Sequence, residues 1–201
     1  MKKFAFAVLT LLMAGTSAYA SPTLHSFNAE NGGSGQLNYA GFADFNVTQG
    51  SVDLIGNGSY DNYPGNGLYV DMAGTTGQYG ALTTKTIFGP GTYKIDLSLG
   101  GSIYSGIADG IDITAGAGSL FSATLPGLTT ADYSFIVNLA SAQAFTLTDL
   151  GLSGNANIGA TLFGFNVSSV RSTAVPEPLT LSLFAAGLAG AAALRRKKAK
   201  A

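Results

Sequence analysis

The sequence of 201 residues contains no cysteine and no tryptophan, and it has a single histidine, His25. The lack of cysteine excludes disulfides, thiol nucleophiles and thiolate metal sites, so the protein must be stabilised by its hydrophobic core. His25 lies close to the N-terminus, where chains are commonly frayed, which argues against a catalytic triad that needs a histidine base. Signatures of serine hydrolases, zinc proteases and phosphate-binding loops are also absent from the sequence.

Charged residues are scarce as well, at 10% of the chain, and they are unevenly distributed. Residues 21–174 contain ten acidic and three basic residues, which gives this part a net charge of −7 (3 − 10). The other seven of the ten basic residues lie near the two ends of the chain. Because such a surface repels polyanions and anionic lipid, the sequence predicts no nucleic-acid partner.

The first 20 residues have the three-part pattern of a secretory signal peptide. Lys2 and Lys3 are followed by an apolar run over residues 4–14, and the segment ends in small residues that include Ala18 and Ala20. We expect signal peptidase to cleave after Ala20. The alternative is an N-terminal membrane anchor, but the apolar run is about half of the roughly 20 residues that span a bilayer.

The C-terminal end combines a proline motif, an apolar run and a basic cluster. The linker at residues 173–178 contains Val175, Pro176, Glu177 and Pro178, and residues 179–194 carry no charge. As a helix, this run would span about 24 Å, slightly less than a hydrocarbon core of roughly 30 Å. The tail at residues 195–201 begins with four cations that are expected to stay in the cytoplasm, namely Arg195, Arg196, Lys197 and Lys198. The order predicts one C-terminal transmembrane helix, with the body of the protein exported through the inner membrane.

This order of proline motif, apolar helix and basic cluster resembles the PEP-CTERM sorting signal of exopolysaccharide-producing Gram-negative bacteria. The resemblance implies that exosortase, a membrane-embedded cysteine transpeptidase, recognises Pro176-Glu177-Pro178 and processes the tail. The protein would then be found at the cell surface or outside the cell. Two prolines hold the backbone extended, which suits recognition by a protease. An ordinary stop-transfer anchor is the alternative.

Residues 21–172 are predicted to form one ectodomain built from strands. In the sequence TYKIDLSLG (residues 92–100), apolar and polar residues alternate up to Leu99, which is typical of a half-buried strand. Leu68, Val70 and Met72 likewise share one face of a strand, opposite Tyr69 and Asp71. About ten short strands separated by Gly, Asn, Asp and Pro predict an all-β fold, an antiparallel β-sandwich or jelly roll. The order of segments within residues 52–102 also resembles the first half of galactose-binding-like β-sandwich modules.

Two loops supply the candidate binding residues. Tyr60, Asp61, Asn62 and Tyr63, with Tyr69 and Tyr79 nearby, combine aromatic rings with hydrogen-bonding groups and predict a glycan site. The loop at residues 61–67 and the pair Asp109 and Asp112 are candidate sites for a structural calcium ion, which prefers oxygen ligands. Turn formation is the alternative for both loops, because Asn, Asp and Gly are favoured in turns. No other cofactor is predicted.

These observations lead to two main hypotheses of function. In the first, the protein is a non-enzymatic surface or extracellular-matrix protein that is processed by an exosortase and binds exopolysaccharide. A purely structural biofilm component would share the same fold and targeting. In the alternative, the protein is a secreted glycan-processing enzyme that uses paired aspartates such as Asp109 and Asp112.

Overall fold

The fold is seen in a computed structural model of the chain, which describes residues 24–58, 60–104 and 106–170. The predicted signal peptide with Ala18 and Ala20, the linker at 173–178, the helix at 179–194 and the basic tail at 195–201 lie outside the described residues. Within the described ranges, no helix is long and apolar enough to cross a membrane.

Strands dominate this part of the chain, as the alternating pattern predicted. A 3₁₀ segment at Phe27–Gly33 follows the first strand, and its interior includes residues with non-helical backbone angles. The thirteen strands of the described residues are β1 (Leu24–Ser26), β2 (Phe45–Gln49), β3 (Asp53–Gly56), β4 (Leu68–Asp71), β5 (Ala73–Gly74), β6 (Gln78–Tyr79), β7 (Ala81–Thr84), β8 (Gly91–Ser102), β9 (Asp109–Ala115), β10 (Gly118–Leu125), β11 (Thr130–Leu139), β12 (Phe145–Asp149) and β13 (Ala160–Ser169).

The strands form two antiparallel sheets. The first sheet has the order β11-β8-β13-β4-β3, and β1 also pairs with β13. The second sheet has the order β10-β9-β12-β7-β2, and β5 and β6 form a separate ribbon. The prediction of an all-β antiparallel sandwich is therefore confirmed.

The main core lies between the two sheets. Phe165 of β13 packs against Phe45 of β2 and Phe145 of β12, with ring centroids 6.1 and 6.2 Å apart. The inward positions of the long strands are apolar and buried, and they include Leu54, Val70, Ile95, Leu97, Ile111, Ile113, Leu147 and Leu162. Burial of apolar area on this scale is the main stabilising contribution for a domain without disulfides.

A second, smaller cluster lies on the outer face of the first sheet. The chain at residues 60–67 folds back over this face, so Tyr63 packs against Tyr69 and Phe163 with ring centroids 5.7 and 5.0 Å apart. Leu68, Val70 and Met72 were predicted to share one face of a strand, and all three are buried in the main core. Tyr69 and Asp71 lie on the opposite face, as expected, but both are buried too, Tyr69 by the covering chain and Asp71 next to the Ala73 amide.

The N-terminal part of the domain is more ordered than the sequence suggested. The expectation of a frayed chain around His25 is wrong, because β1 pairs with β13 and places Leu24 opposite Asn166 and His25 opposite Phe165. β13 supplies backbone hydrogen-bond partners for β1. A segment of three residues is too short for sequence periodicity to reveal such a pairing.

The two flanks of the sandwich differ. On one flank lie the edge strands β10 and β11, where Phe121 stacks on Phe135 with ring centroids 4.5 Å apart. On the other flank lie β2 and β3, and the outer side of β3 exchanges two backbone hydrogen bonds with Gln36. We call the first of these the β10–β11 flank.

Candidate functional site

A shallow groove crosses the outer face of the first sheet, and we call it the outer-face groove. Its volume is about 270 Å³, and its lining residues are Asp96, Leu97, Ser98, Asp132, Tyr133, Ser134 and Gly164. Strand register brings these residues together, because Ser98 of β8 lies opposite both Asp132 of β11 and Gly164 of β13. Asp96 lies one pleat along, opposite Ser134. The groove therefore combines two carboxylates and two hydroxyl groups on a floor that contains glycine.

One cation lies beside the groove. The Nζ atom of Lys94 is 2.7 Å from Oδ1 of Asp96, and both side chains are partly exposed. The hydrogen bond from Lys94 lowers the pKa of Asp96, and Ser134 and Asn166 contribute in the same direction. Asp96 is thus an ionised acceptor across the neutral pH range, and the exposed Asp132, opposite Ser98, adds a second acceptor two residues further along the strand pair.

Aromatic residues of the second cluster close one end of this groove. Gly100 continues β8 beyond Ser98, and a side chain at Gly100 would meet Phe163 and the hydroxyl group of Tyr63. The Tyr63 hydroxyl donates to the carbonyl oxygens of Gly101 and Ser102 at 3.2 and 3.1 Å. These contacts fix the covering chain against the sheet, so the half-buried ring of Phe163 lies beside Gly100, two residues along β8 from Ser98 of the groove.

The four residues predicted to bind glycan have different roles in the structure. Tyr60 is 67% exposed and Asn62 is exposed, so both are available to a ligand. Asp61 instead accepts hydrogen bonds from the Tyr69 hydroxyl and the Tyr63 amide, at 3.1 and 3.2 Å. Tyr63 is only 6% exposed and serves as a buried support. Any direct contact with a ligand from this group would therefore come from Tyr60 and Asn62.

Tyr69 organises the same loop from below. Its hydroxyl oxygen accepts hydrogen bonds from the amides of Asn62 and Tyr63, at 2.8 and 3.2 Å. Burial is the main reason that the pKa of Tyr69 rises to about 12. The neutral hydroxyl is thus maintained at all physiological pH values. Tyr79, the remaining tyrosine of the prediction, is half-buried in the β5–β6 ribbon.

The structure does not bring Asp109 and Asp112 together. They are three residues apart in β9, so their side chains point to opposite faces of the strand. Asp109 is fully buried and accepts hydrogen bonds from the amides of Gly110, Leu152 and Ser153, whereas Asp112 accepts one from the Ser119 hydroxyl. A calcium ion or a catalytic pair that needs both carboxylates does not fit this arrangement. Within the described part of the chain, no three His, Cys, Asp or Glu residues are placed to hold a metal ion.

Sequence reasoning missed a row of buried aspartates at one end of the sandwich, formed by Asp53, Asp71, Asp109 and Asp149. Each of the four is at most 6% exposed and accepts backbone hydrogen bonds from nearby loops. Burial, reinforced by the charge of Asp109, raises the pKa of Asp149 to about 7. Burial also raises the pKa of Asp71 well above its usual value, with Asp53 and Asp149 adding to the shift. The row therefore anchors nearby loops, and the carboxyl groups of Asp71 and Asp149 resist ionisation.

The outer-face groove was also missed, although the sequence carries a signal for its parts. In β8 and β11 the polar residues Asp96, Ser98, Asp132 and Ser134 occupy the outward positions of clear period-two patterns. The signal is weak because most outward polar residues of a sheet are ordinary solvated positions. Only the strand register shows that these four meet.

Residues 174–197 match the PEP-CTERM protein-sorting motif. The prediction of this motif is therefore confirmed, and it indicates an exported protein. The match covers the C-terminal end of the chain and does not extend into the sandwich. No curated protein sequence matches the chain significantly.

Solved structures support the sandwich fold. The CBM22-1 xylan-binding domain of Paenibacillus barcinonensis Xyn10C superposes with a TM-score of 0.50 at 10% identity, covering 79% of this chain and all of that domain. This likeness shows a shared fold. The CBM36-1 domain of a xylanase from the Trinervitermes trinervoides hindgut metagenome gives 0.46 at 15% identity, covering 75% of this chain and 99% of that one. An exo-β-1,3-galactanase from Phanerochaete chrysosporium gives 0.37 at 20% identity, covering 79% of this chain and 32% of the enzyme.

Proposed function

We propose that the protein is an exported, non-catalytic surface or matrix protein that binds polysaccharide in the outer-face groove. The observation that carries this proposal is that the polar side chains of the groove lie next to Gly100, where the half-buried ring of Phe163 packs on the same face of the sheet. Sugars are recognised by such combinations, because their hydroxyl groups hydrogen bond to carboxylates while the apolar faces of their rings pack on aromatic side chains. The exposed ring of Tyr60, three residues before Tyr63 in the covering chain, is available as a further stacking surface.

The charge of the domain narrows the ligand class. Residues 21–174 carry a net charge of −7, and the groove itself contains two carboxylates beside one lysine. A polyanionic glycan would be repelled by this surface, whereas a neutral polysaccharide would not. We therefore propose a neutral exopolysaccharide as the ligand.

Delivery follows from the two ends of the chain. We propose that signal peptidase removes residues 1–20, that residues 179–194 hold the protein in the inner membrane, and that exosortase then processes the tail at Pro176-Glu177-Pro178. The match to a sorting motif at residues 174–197 supports the last step. The protein would finally be located at the cell surface or in the extracellular matrix.

Binding can be tested with a matched pair of aspartate variants. Asp132→Asn changes one groove carboxylate, and Asp112→Asn changes a partly exposed carboxylate on the outer face of the other sheet. We expect Asp132→Asn to weaken binding to a neutral polysaccharide by about tenfold, because a sugar hydroxyl group donates a stronger hydrogen bond to a carboxylate than to an amide oxygen. Asp112→Asn should bind like the wild type. The proposed ligand site would be wrong if a panel of neutral glycans shows no binding, or if both variants bind equally well.

Sorting can be tested separately. The intact mass of the protein recovered from the surface and medium of its host should show the loss of the first 20 residues and of the C-terminal helix. Glu177→Ala should abolish the second loss and leave the first. Retention of residues 179–201 in the wild-type protein would instead indicate a plain membrane anchor.

A further inference from the structure

The β10–β11 flank has the features of a pairing edge. β11 pairs with β8 in one uninterrupted register from Thr130 to Leu139, and no second strand of the described residues covers its other side. Its sequence, TADYSFIVNL, contains no proline and no basic residue, and Asp132 is its single charge. Ile136, near its middle, is 64% exposed. A long, regular edge of this kind offers unpaired backbone groups that another strand can join.

The opposite flank shows how the same protein protects an edge. There, β3 has four residues, and Gln36 occupies its outer side through two backbone hydrogen bonds of 2.7 and 2.9 Å. The neighbouring edge β2 has five residues and a register shift between Val47 and Gln49. Short length, cover and irregularity are the usual devices against edge pairing. In the part of the chain that the structure describes, β11 has none of these three protections.

We propose that two copies of this protein associate by antiparallel pairing of β11 with β11 of a second copy. A two-fold axis near Phe135 would place the two Asp132 side chains about 20 Å apart, from a rise of about 3.3 Å per residue. A parallel arrangement would set them side by side, which like charges disfavour. The adjacent edge strand β10, GSLFSATL, carries no charge, so Asp132 is the single charged residue in the two strands of this flank.

The charge of the rest of the domain favours this flank over other surfaces. With a net charge of −7 over residues 21–174, two copies repel each other across most orientations. The stacked rings of Phe121 and Phe135 hold β10 and β11 together, so the edge is presented as a regular strand. Pairing would also join the two first sheets into one continuous sheet, with both outer-face grooves on the same side.

The test is the oligomeric state of the protein purified from the host that exports it. Analytical ultracentrifugation over a concentration series should show a monomer–dimer equilibrium. Ile136→Lys introduces a charge into the paired edge and should raise the dimer dissociation constant at least about tenfold. Ile87→Lys is the matched control, because Ile87 is 68% exposed and lies outside β11. It should leave the equilibrium unchanged.

A second measurement locates the contact. Since the chain has no cysteine, Ser134→Cys and Ile136→Cys each add a unique thiol, and an axis at Phe135 places residue 134 of one copy opposite residue 136 of the other. Mild oxidation of an equal mixture of the two variants should therefore give covalent dimers. Ile87→Cys should give none. A wild-type protein that is monomeric at all concentrations would overturn the proposal. If the β11 amides of this monomer were protected from hydrogen exchange, a segment of the same chain would cover the edge instead of a second copy. Dimers equally insensitive to Ile136→Lys and Ile87→Lys would overturn it as well.

Discussion

Asp71 lies directly opposite Asp53 in the β3–β4 pair, and both carboxyl groups are buried. The backbone amide of Asn38 donates to Asp53 at 2.6 Å, and the amide of Ala73 donates to Asp71 at 3.0 Å. Two carboxyl groups at neighbouring buried positions cannot both ionise without cost. Together with Asp149, they make this end of the sandwich sensitive to pH.

We expect the free energy of unfolding to fall as the pH rises from about 4 to about 7. The pKa values of Asp53, Asp71 and Asp149 are raised in the folded protein, that of Asp149 to about 7, so the folded state binds more protons than the unfolded state in this window. Each such group lowers stability by up to about 1.4 kcal/mol per pH unit. Denaturant unfolding at a series of pH values measures the slope.

The Asp149→Asn variant tests the assignment of this slope. The amide cannot titrate, so the pH dependence should become shallower. The two carboxyl oxygens of Asp149 accept from the amides of Gly151 and Ala160 at 2.7 and 2.8 Å, so the variant should also lose about 1–3 kcal/mol near pH 4. Asp112→Asn should retain the wild-type slope. A wild-type stability that increases from pH 4 to pH 7 would contradict the prediction.

Tyr69→Phe should destabilise the chain over the first sheet. The variant removes a hydroxyl group that accepts from the Asn62 and Tyr63 amides and donates to Asp61, so the expected cost is about 1–3 kcal/mol. Hydrogen exchange should be faster at the amides of Asn62 and Tyr63. Tyr104→Phe is the control, because Tyr104 is 51% exposed. Equal stability of the two variants would mean that the Tyr69 hydroxyl does not hold the loop.

Gly110→Ala should be much more destabilising than Gly118→Ala. A side chain at Gly110 would meet the backbone carbonyl of Ala123 in β10, whereas nothing lies within 4 Å of the corresponding position at Gly118. Forcing β9 and β10 apart should cost about 1–3 kcal/mol. Thermal or denaturant unfolding of the two variants provides the comparison, and similar values would show that the strands can separate without cost.

Tyr60→Asn should reduce the affinity for polysaccharide without affecting stability. Tyr60 has a positive φ angle of 53°, which asparagine tolerates, and its ring is largely exposed. Loss of one stacking ring should weaken binding by about tenfold, as measured by calorimetry or affinity electrophoresis. Ile87→Asn removes an exposed apolar side chain elsewhere and should bind normally. Unchanged affinity in Tyr60→Asn would restrict the site to the groove floor.

The strands were predictable because their alternation reflects the burial of one face. The alternating segment predicted at residues 92–99 corresponds to β8, and the face shared by Leu68, Val70 and Met72 corresponds to β4 and the residue that follows it. β1, β5 and β6 were not predictable, since strands of two or three residues are too short to show a period. Their existence depends on partners distant in sequence, such as β13 for β1.

The site was less predictable, because its composition depends on strand register and on the chain that covers the sheet. The sequence grouped Tyr60 to Tyr63 correctly as neighbours, but it could not show that Tyr63 faces inward while Tyr60 faces solvent. Closeness in sequence was also misleading for Asp109 and Asp112, which a strand directs to opposite faces. The groove residues Ser98 and Asp132 are far apart in sequence and meet only through pairing of β8 with β11.

The direction of β13 has a consequence for how the protein is held. This strand begins at Ala160, opposite Ser102 and near the loop of Tyr63, and it ends at Ser169, opposite Tyr93. The two ends of β13 are about 30 Å apart at a rise of about 3.3 Å per residue. The sorting motif begins only a few residues after β13 ends. A protein tethered through that motif would therefore stand with its attachment at the Ser169 end of the sandwich, and the end that holds Asp71 and Asp149 would face away from the bilayer.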